Sequence, residues 1–309
     1  MNYTDQMIRQ TQRKAKARYQ KTQKQIDERI ESYIKRHPVK DSEDERAYRK
    51  EVLKTFSGKE WNEEREQLAE ILYQTNVKCT QDINDCMDAV FIDSYNRQSF
   101  DTEKHYLRDV GLTLLTPILL KKMIKAHTVD IPYKTVNRSK DMAWNLKRIQ
   151  NEITNATIMG KDIFAIGKNA VVGLSHRGLN GIETVIDYSL RGVQALGEYE
   201  SMVEAQRLGI NVQKQWLATL DSHTRDTHQE LDGQIRDLQE PFEVDEYEIM
   251  YPREPSAPPE MIINCRCTMK SVYPDYPDQN GERRENIKDP ERRIIPDMTY
   301  REWEDWKGG

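Results

Sequence analysis

Proline is nearly missing from most of this chain. Of 12 prolines in 309 residues, only Pro38, Pro117 and Pro132 precede residue 240, and the other nine lie between Pro241 and Pro296. Helices run where proline is scarce, so the first 240 residues read as helical and the remainder as irregular. Long apolar runs are missing as well. The uncharged apolar stretch 110–120 is only eleven residues long and contains Pro117, whereas a membrane span needs roughly 18 or more. The opening Met-Asn-Tyr-Thr-Asp lacks the apolar core of a signal peptide, so a cytosolic chain with no membrane partner is expected. Four cysteines are too few for a disulfide scaffold and read as thiols or metal ligands. No Gly-rich phosphate loop, His-Glu-x2-His pair or Gly-x-Ser-x-Gly elbow occurs.

What the chain has is charge, at 32% of residues, with a net of -5 and a mean hydropathy of -0.88. Its 15 Tyr and 5 Trp separate it from a disordered polymer. The charge is uneven. Residues 1–36 carry ten Lys/Arg against Asp5, Asp27, Glu28 and Glu31, and Tyr19, Ile26, Ile30 and Tyr33 fall at spacings of seven, four and three. That pattern is a long basic helix with a narrow apolar stripe. Arg9, Arg13, Lys14, Lys16, Arg18, Lys21 and Lys24 are candidates for contact with DNA or an acidic partner, and a solvated helix face is the plainer reading.

Trp61, Leu68, Leu72, Thr75, Cys79, Ile83, Cys86 and Val90 then keep a helical period across 41–96, with Cys79 and Cys86 as small core residues. A third apolar segment, 105–125, reads as interrupted at Pro117. Ser139 is a candidate cap for a helix carrying Met142, Leu146, Ile149 and Ile153, Gly160 and Gly167 read as breaks, and 173–181 as a loop. Another helix is expected over 182–208, closed by Gly209. Beyond it the period changes to two. A strand is expected over 212–220, a short helix over 224–231 capped by Asp221 or Ser222, short strands at 234–238 and 242–244, and a last strand at 262–272. The expected fold is therefore mainly α, with long N-terminal helices followed by a small α+β C-terminal domain holding a short antiparallel sheet. Its parts are a helical arm or bundle (1–130) suited to docking, a helical lead-in (131–209), the α+β domain (210–273) and an extended tail (274–309).

Chemistry-bearing residues gather in 216–267. Cys265 and Cys267, two apart on an expected strand, present both thiols to one side, and a helix placing His228 opposite would bring an imidazole to them. Three such ligands suit zinc, with Asp221 or His223 as a fourth. Cys-x-Cys is not a standard finger spacing, and two core cysteines beside a hydrogen-bonded histidine remain the alternative. A Cys–His–Asp nucleophile is the weaker fit, because two thiols on one face suit shared ligation better. The acids Asp237, Glu240, Glu243, Asp245, Glu246 and Glu248 read as a solvated face rather than a magnesium site.

The residues Trp216, Asp221, Thr224, Arg225, His228, Gly233, Pro258, Pro259, Asn264, Cys265, Arg266 and Cys267 also stand in one order. This order resembles the phage Mu protein F-like head-morphogenesis family, with the likeness extending over about 130–273. The resemblance implies a minor head protein of a tailed double-stranded DNA phage or prophage, with no catalytic residues. It would bind the portal and meet the scaffold and major capsid proteins inside the capsid, after assembly in the host cytoplasm. Roles in procapsid assembly and in DNA packaging or ejection follow from the same likeness, with non-specific double-stranded DNA as a further partner and structural zinc as the candidate cofactor. The alternative is a zinc-dependent hydrolase or nuclease acting on DNA during packaging.

Overall fold

The apolar stripe of the first 36 residues does form one helix, α1 (Tyr3–Arg36), and Tyr19, Ile26, Ile30 and Tyr33 are all buried along it. The computed structural model describes residues 2–40, 42–106, 109–159, 162–219, 221–275 and 300–308. After α1 come α2 (Glu45–Thr55), capped by the Asp44 side chain, and α3 (Gly58–Tyr106), a 49-residue helix. The whole periodic set from Trp61 to Val90 is buried on α3.

Pro117 opens a helix rather than interrupting one. It sits in the first turn of α4 (Pro117–Lys125), where its missing N–H costs nothing, while the Thr116 side chain accepts from Leu119 N. The cap of α5 (Arg138–Ile158) is Asn137, not Ser139.

The larger departure is α6 (Ile163–Arg207), which runs unbroken through Gly167, Gly173, Gly178 and Gly181. Gly160 lies outside the described residues. The first three of these helical glycines are points of close approach. A Cβ at Gly167 would lie 2.8 Å from Ile30 and 2.9 Å from Ile34, at Gly173 it would strike the Glu152 carboxylate, and at Gly178 the Tyr19 ring. A helix-breaker and a contact glycine look alike in sequence, because only the neighbour tells them apart. Gly209, at φ 87, does end the helix as expected.

The remaining elements are short: β1 (Gln213–Leu217), α7 (Asp226–Leu231), β2 (Ile235–Asp237), β3 (Phe242–Val244), β4 (Tyr247–Ile249), α8 (Pro259–Ile262) and β5 (Thr268–Val272). Strand β1 is central between β2 and β5, antiparallel to both, with Gln213 opposite Asp237 and Val272. β3 and β4 form a separate antiparallel pair. The architecture is thus mainly α with small antiparallel sheets towards the C-terminal end. Within the stretch expected to be extended, 276–299 lie outside the described residues, and Tyr300–Gly308 form a helix, α9.

The chain forms two units, and α1, α3 and α6 contribute residues to both. One consists of Ile8–Asn84 and Lys134–Ile186. Its core joins Ile26, Ile30, Tyr33 and Ile34 with Trp61, Leu68, Ile149, Ile153, Ile166 and Leu174. The other consists of Met1–Met7, Asp85–Tyr133 and Asp187–Gly309, and so holds the sheets. Its core contains a fully buried lysine on β1. Lys214 Nζ donates to Leu238 O (3.2 Å) and Met250 O (2.9 Å) and lies over the Tyr199 and Phe242 rings. Burial pushes the Lys214 ammonium down to about 8 from its usual 10.5. Between those values the folded chain has lost the proton that the unfolded chain keeps, so stability rises with pH across this window. In Lys214→Met that rise should be missing when urea midpoints are compared at pH 7 and pH 9.5.

Candidate metal centre

The candidate ligands lie in the unit that holds the sheets, between β1, α7 and the turn before β5. Cys265 and Cys267 are not on a strand. Strand β5 begins only at Thr268, and the preceding turn places Asn264 at φ 56, with Cys265 N donating to Ile262 O at 3.3 Å. Asparagine tolerates this left-handed backbone better than most residues. Both thiols nevertheless point inward, while Asn264 and Arg266 are exposed. Helix α7 supplies His228, which is 2% exposed. His228 Nδ1 lies 3.3 Å from Cys267 Sγ, and one ligand atom from each of His228, Cys265 and Cys267 falls within 4.8 Å of the others. The sequence motif therefore brings one imidazole and two thiols together.

Their surroundings fit a cation. His228 Nε2 is buried and makes no hydrogen bond to nitrogen or oxygen, which leaves a ring nitrogen free to ligate. The cavity beside the cluster, lined by Thr219, His223, Thr224 and the three candidate ligands among others, has a volume of about 10 Å³. That is room for one water or one ion. The hydrogen bond from Cys267, with help from His228 and the Arg253 charge, holds Cys265 well below the usual thiol range. The same bond and burial push Cys267 up. Two thiolates side by side repel, and a bound cation removes that repulsion.

Asp221 does not join the cluster. It pairs with Arg266 through two bonds of 2.5 and 2.6 Å, and its Oδ1 accepts from His223 N at 2.9 Å. That bidentate pairing holds its carboxyl far below the usual carboxylate range. His223 lines the small cavity but stays outside the ligand group. The other motif residues are scaffold. Trp216, fully buried, meets the Phe242 ring edge-on at 5.3 Å. Thr224 Oγ1 donates to Thr219 O, Arg225 Nη2 donates to Ile263 O at 2.8 Å, and Gly233, at φ 78, donates its N–H to Trp216 O at 2.9 Å. Arg225 also occupies the N-cap of α7, the place expected for Asp221 or Ser222.

These residues fall in a stretch that is similar to known proteins. Residues 147–270 match the family described as Phage Mu protein F like protein, which takes in α6 and the motif from Trp216 to Cys267. Over that stretch the chain is similar to the Mu F-like family. It is also similar to the minor head protein GP7 of Bacillus phage SPP1, 25% identical over 244 residues that make up 76% of this chain and 74% of that protein. A shorter likeness is to the NAD(+)--arginine ADP-ribosyltransferase EFV of Enterococcus faecalis, 39% identical over 111 residues. Those residues are 36% of this chain but only 21% of the transferase, so the match spans about a fifth of that protein. No solved structure matches.

Among the functional candidates of this stretch, reading the residues missed Arg253. Its guanidinium is buried behind the cysteines, yet in the sequence it is one arginine in a proline-rich loop. The N-terminal cations divide. Arg9, Arg13, Lys14, Lys16, Lys21 and Lys24 are exposed on α1, whereas Arg18 is half-buried and paired to Asp82 at 2.7 and 3.0 Å.

Proposed function

We infer that this protein is a minor head protein of a tailed double-stranded DNA phage or prophage. It acts in head assembly as a structural component that binds the portal and sits inside the capsid beside it. The observation that carries the reading is the alignment with the SPP1 minor head protein across about three-quarters of both chains, together with the match of residues 147–270 to the Mu F-like family. No helix among the described residues is long and apolar enough to cross a membrane. In this reading the cluster of His228, Cys265 and Cys267 is a structural zinc site, supported by its buried donor set of one nitrogen and two sulfurs. The test is composition of the particle. Mass spectrometry of purified heads from the encoding phage should find this chain at far fewer copies than the major capsid protein. Infectious heads that lack it overturn the reading.

The exposed face of α1 suits packaged DNA. Between Asp5 and Asp27 the helix has no acid, and its six exposed cations lie within residues 9–24, about 22 Å of helix at 1.5 Å per residue. Deleting this helix would remove Tyr19, Ile26, Ile30 and Tyr33 from the core, so the informative change is to charge alone. Replacing Arg9, Arg13, Lys14, Lys16 and Lys21 by Gln should leave the thermal midpoint unchanged. DNA retention at low salt should be lost, because each phosphate contact contributes about 0.9 to the salt slope. Unchanged retention assigns this face to solvent.

A further inference from the structure

The two cysteines are held from behind by a residue outside the recognisable motif. Arg253 is 6% exposed and makes no ion pair among the described residues. A buried guanidinium ordinarily takes a carboxylate. This one instead donates from Nε and Nη2 to Cys265 O, the former at 2.7 Å, and from Nη1 to Cys267 O at 3.0 Å. The planar fork thus spans the carbonyls on either side of Arg266. Its own backbone is left-handed, at φ 64. The loop can seat there because α6 has no side chain at residue 192: a Cβ on Gly192 would lie 3.0 Å from Arg253 O. Two uncommon local features therefore serve one contact.

The geometry points to Arg253 as the positioning residue of the metal centre, its guanidinium fixing the Cys265 and Cys267 carbonyls so that both sulfurs face His228. This rests on the metal reading above. A carbonyl clamp sets the direction of each Cα–Cβ bond, and so brings the sulfurs within reach of one cation before the cation arrives. Lysine cannot replace it, because one ammonium on a flexible stem does not hold two carbonyls in a fixed plane.

The full-length protein can be loaded with zinc in competition with a chromogenic chelator, and separately with cobalt(II), whose visible and near-ultraviolet bands report ligand geometry. Wild type should bind one metal per chain, and His228→Ala should bind none. Arg253→Met should weaken zinc binding by roughly 10–100-fold, the usual effect of losing an outer partner of a ligand. Its cobalt bands should shift while helical content stays at the wild-type level. Arg253→Lys keeps the charge and should show the same loss, which separates orientation from electrostatics; if Arg253→Met does not fold, Arg253→Lys decides alone. Arginine variants with wild-type affinity and spectrum overturn the positioning role and leave the metal reading standing. A wild-type protein that takes up neither zinc nor cobalt overturns both.

Discussion

Stripping metal from the protein with a strong chelator should lower its thermal midpoint by about 5–16 °C, and adding back zinc should restore it. A ligand present at about 100 to 1,000 times its dissociation constant stabilises the folded state by about 2.7–4.1 kcal/mol. A unit of this size shifts by about 2–4 °C per kcal/mol. The site justifies that scale because all three candidate ligands are buried and come from two segments far apart in sequence, α7 and the turn before β5. A cation there ties the α7 end of the domain to the strand that pairs with β1. His228→Ala and Cys267→Ser should each abolish the response to zinc, and Asp221→Asn should keep it, since Asp221 is engaged by Arg266 rather than by the cluster. Differential scanning fluorimetry with and without zinc reads all four. Identical midpoints in zinc and in chelator would show that the three side chains are ordinary core residues.

The parts of this molecule that sequence reasoning reached are those whose signal is periodic. Helix α1 and the Trp61–Val90 face of α3 repeat apolar residues over many turns, and burial follows that repeat. The sheet strands β1 and β3 were equally legible from alternation, Val212, Lys214 and Trp216 all being buried on one side. Residues whose meaning depends on a distant neighbour were not. Gly167, Gly173 and Gly178 look like punctuation until Ile30, Glu152 and Tyr19 are seen against them. Cys265 and Cys267 do converge with His228, although the turn at Asn264 rather than a strand brings them there. Arg253 and the C-terminal helix left no local trace, because one is a single charge in a loop and the other nine mostly polar residues.

That C-terminal helix carries the second large effect: Trp303→Ala should destabilise the unit that holds it by about 3–5 kcal/mol, the usual range for a buried tryptophan. Trp303 is fully buried and packs edge-on against Phe100 at 5.8 Å. Its Nε1 donates to Glu103 Oε2 at 2.7 Å, and Glu103 on α3 is itself fully buried. Lys307 completes the contact, giving Nζ to Glu103 and Asp109 at 2.9 Å each and to Leu112 O at 2.7 Å. Burial pushes the Glu103 carboxyl up, and the bonds from Trp303 and Lys307 pull against that shift. Removing either donor therefore strands a carboxylate in the core, a loss beyond the missing apolar contact. Trp303→Phe keeps the ring and loses only the N–H, so its smaller cost, about 1–3 kcal/mol, separates the two contributions. Urea unfolding followed by circular dichroism measures the series, and hydrogen exchange at 109–115 locates it. If Trp303→Ala costs under about 1 kcal/mol and exchange there is unchanged, α9 does not hold the end of α3.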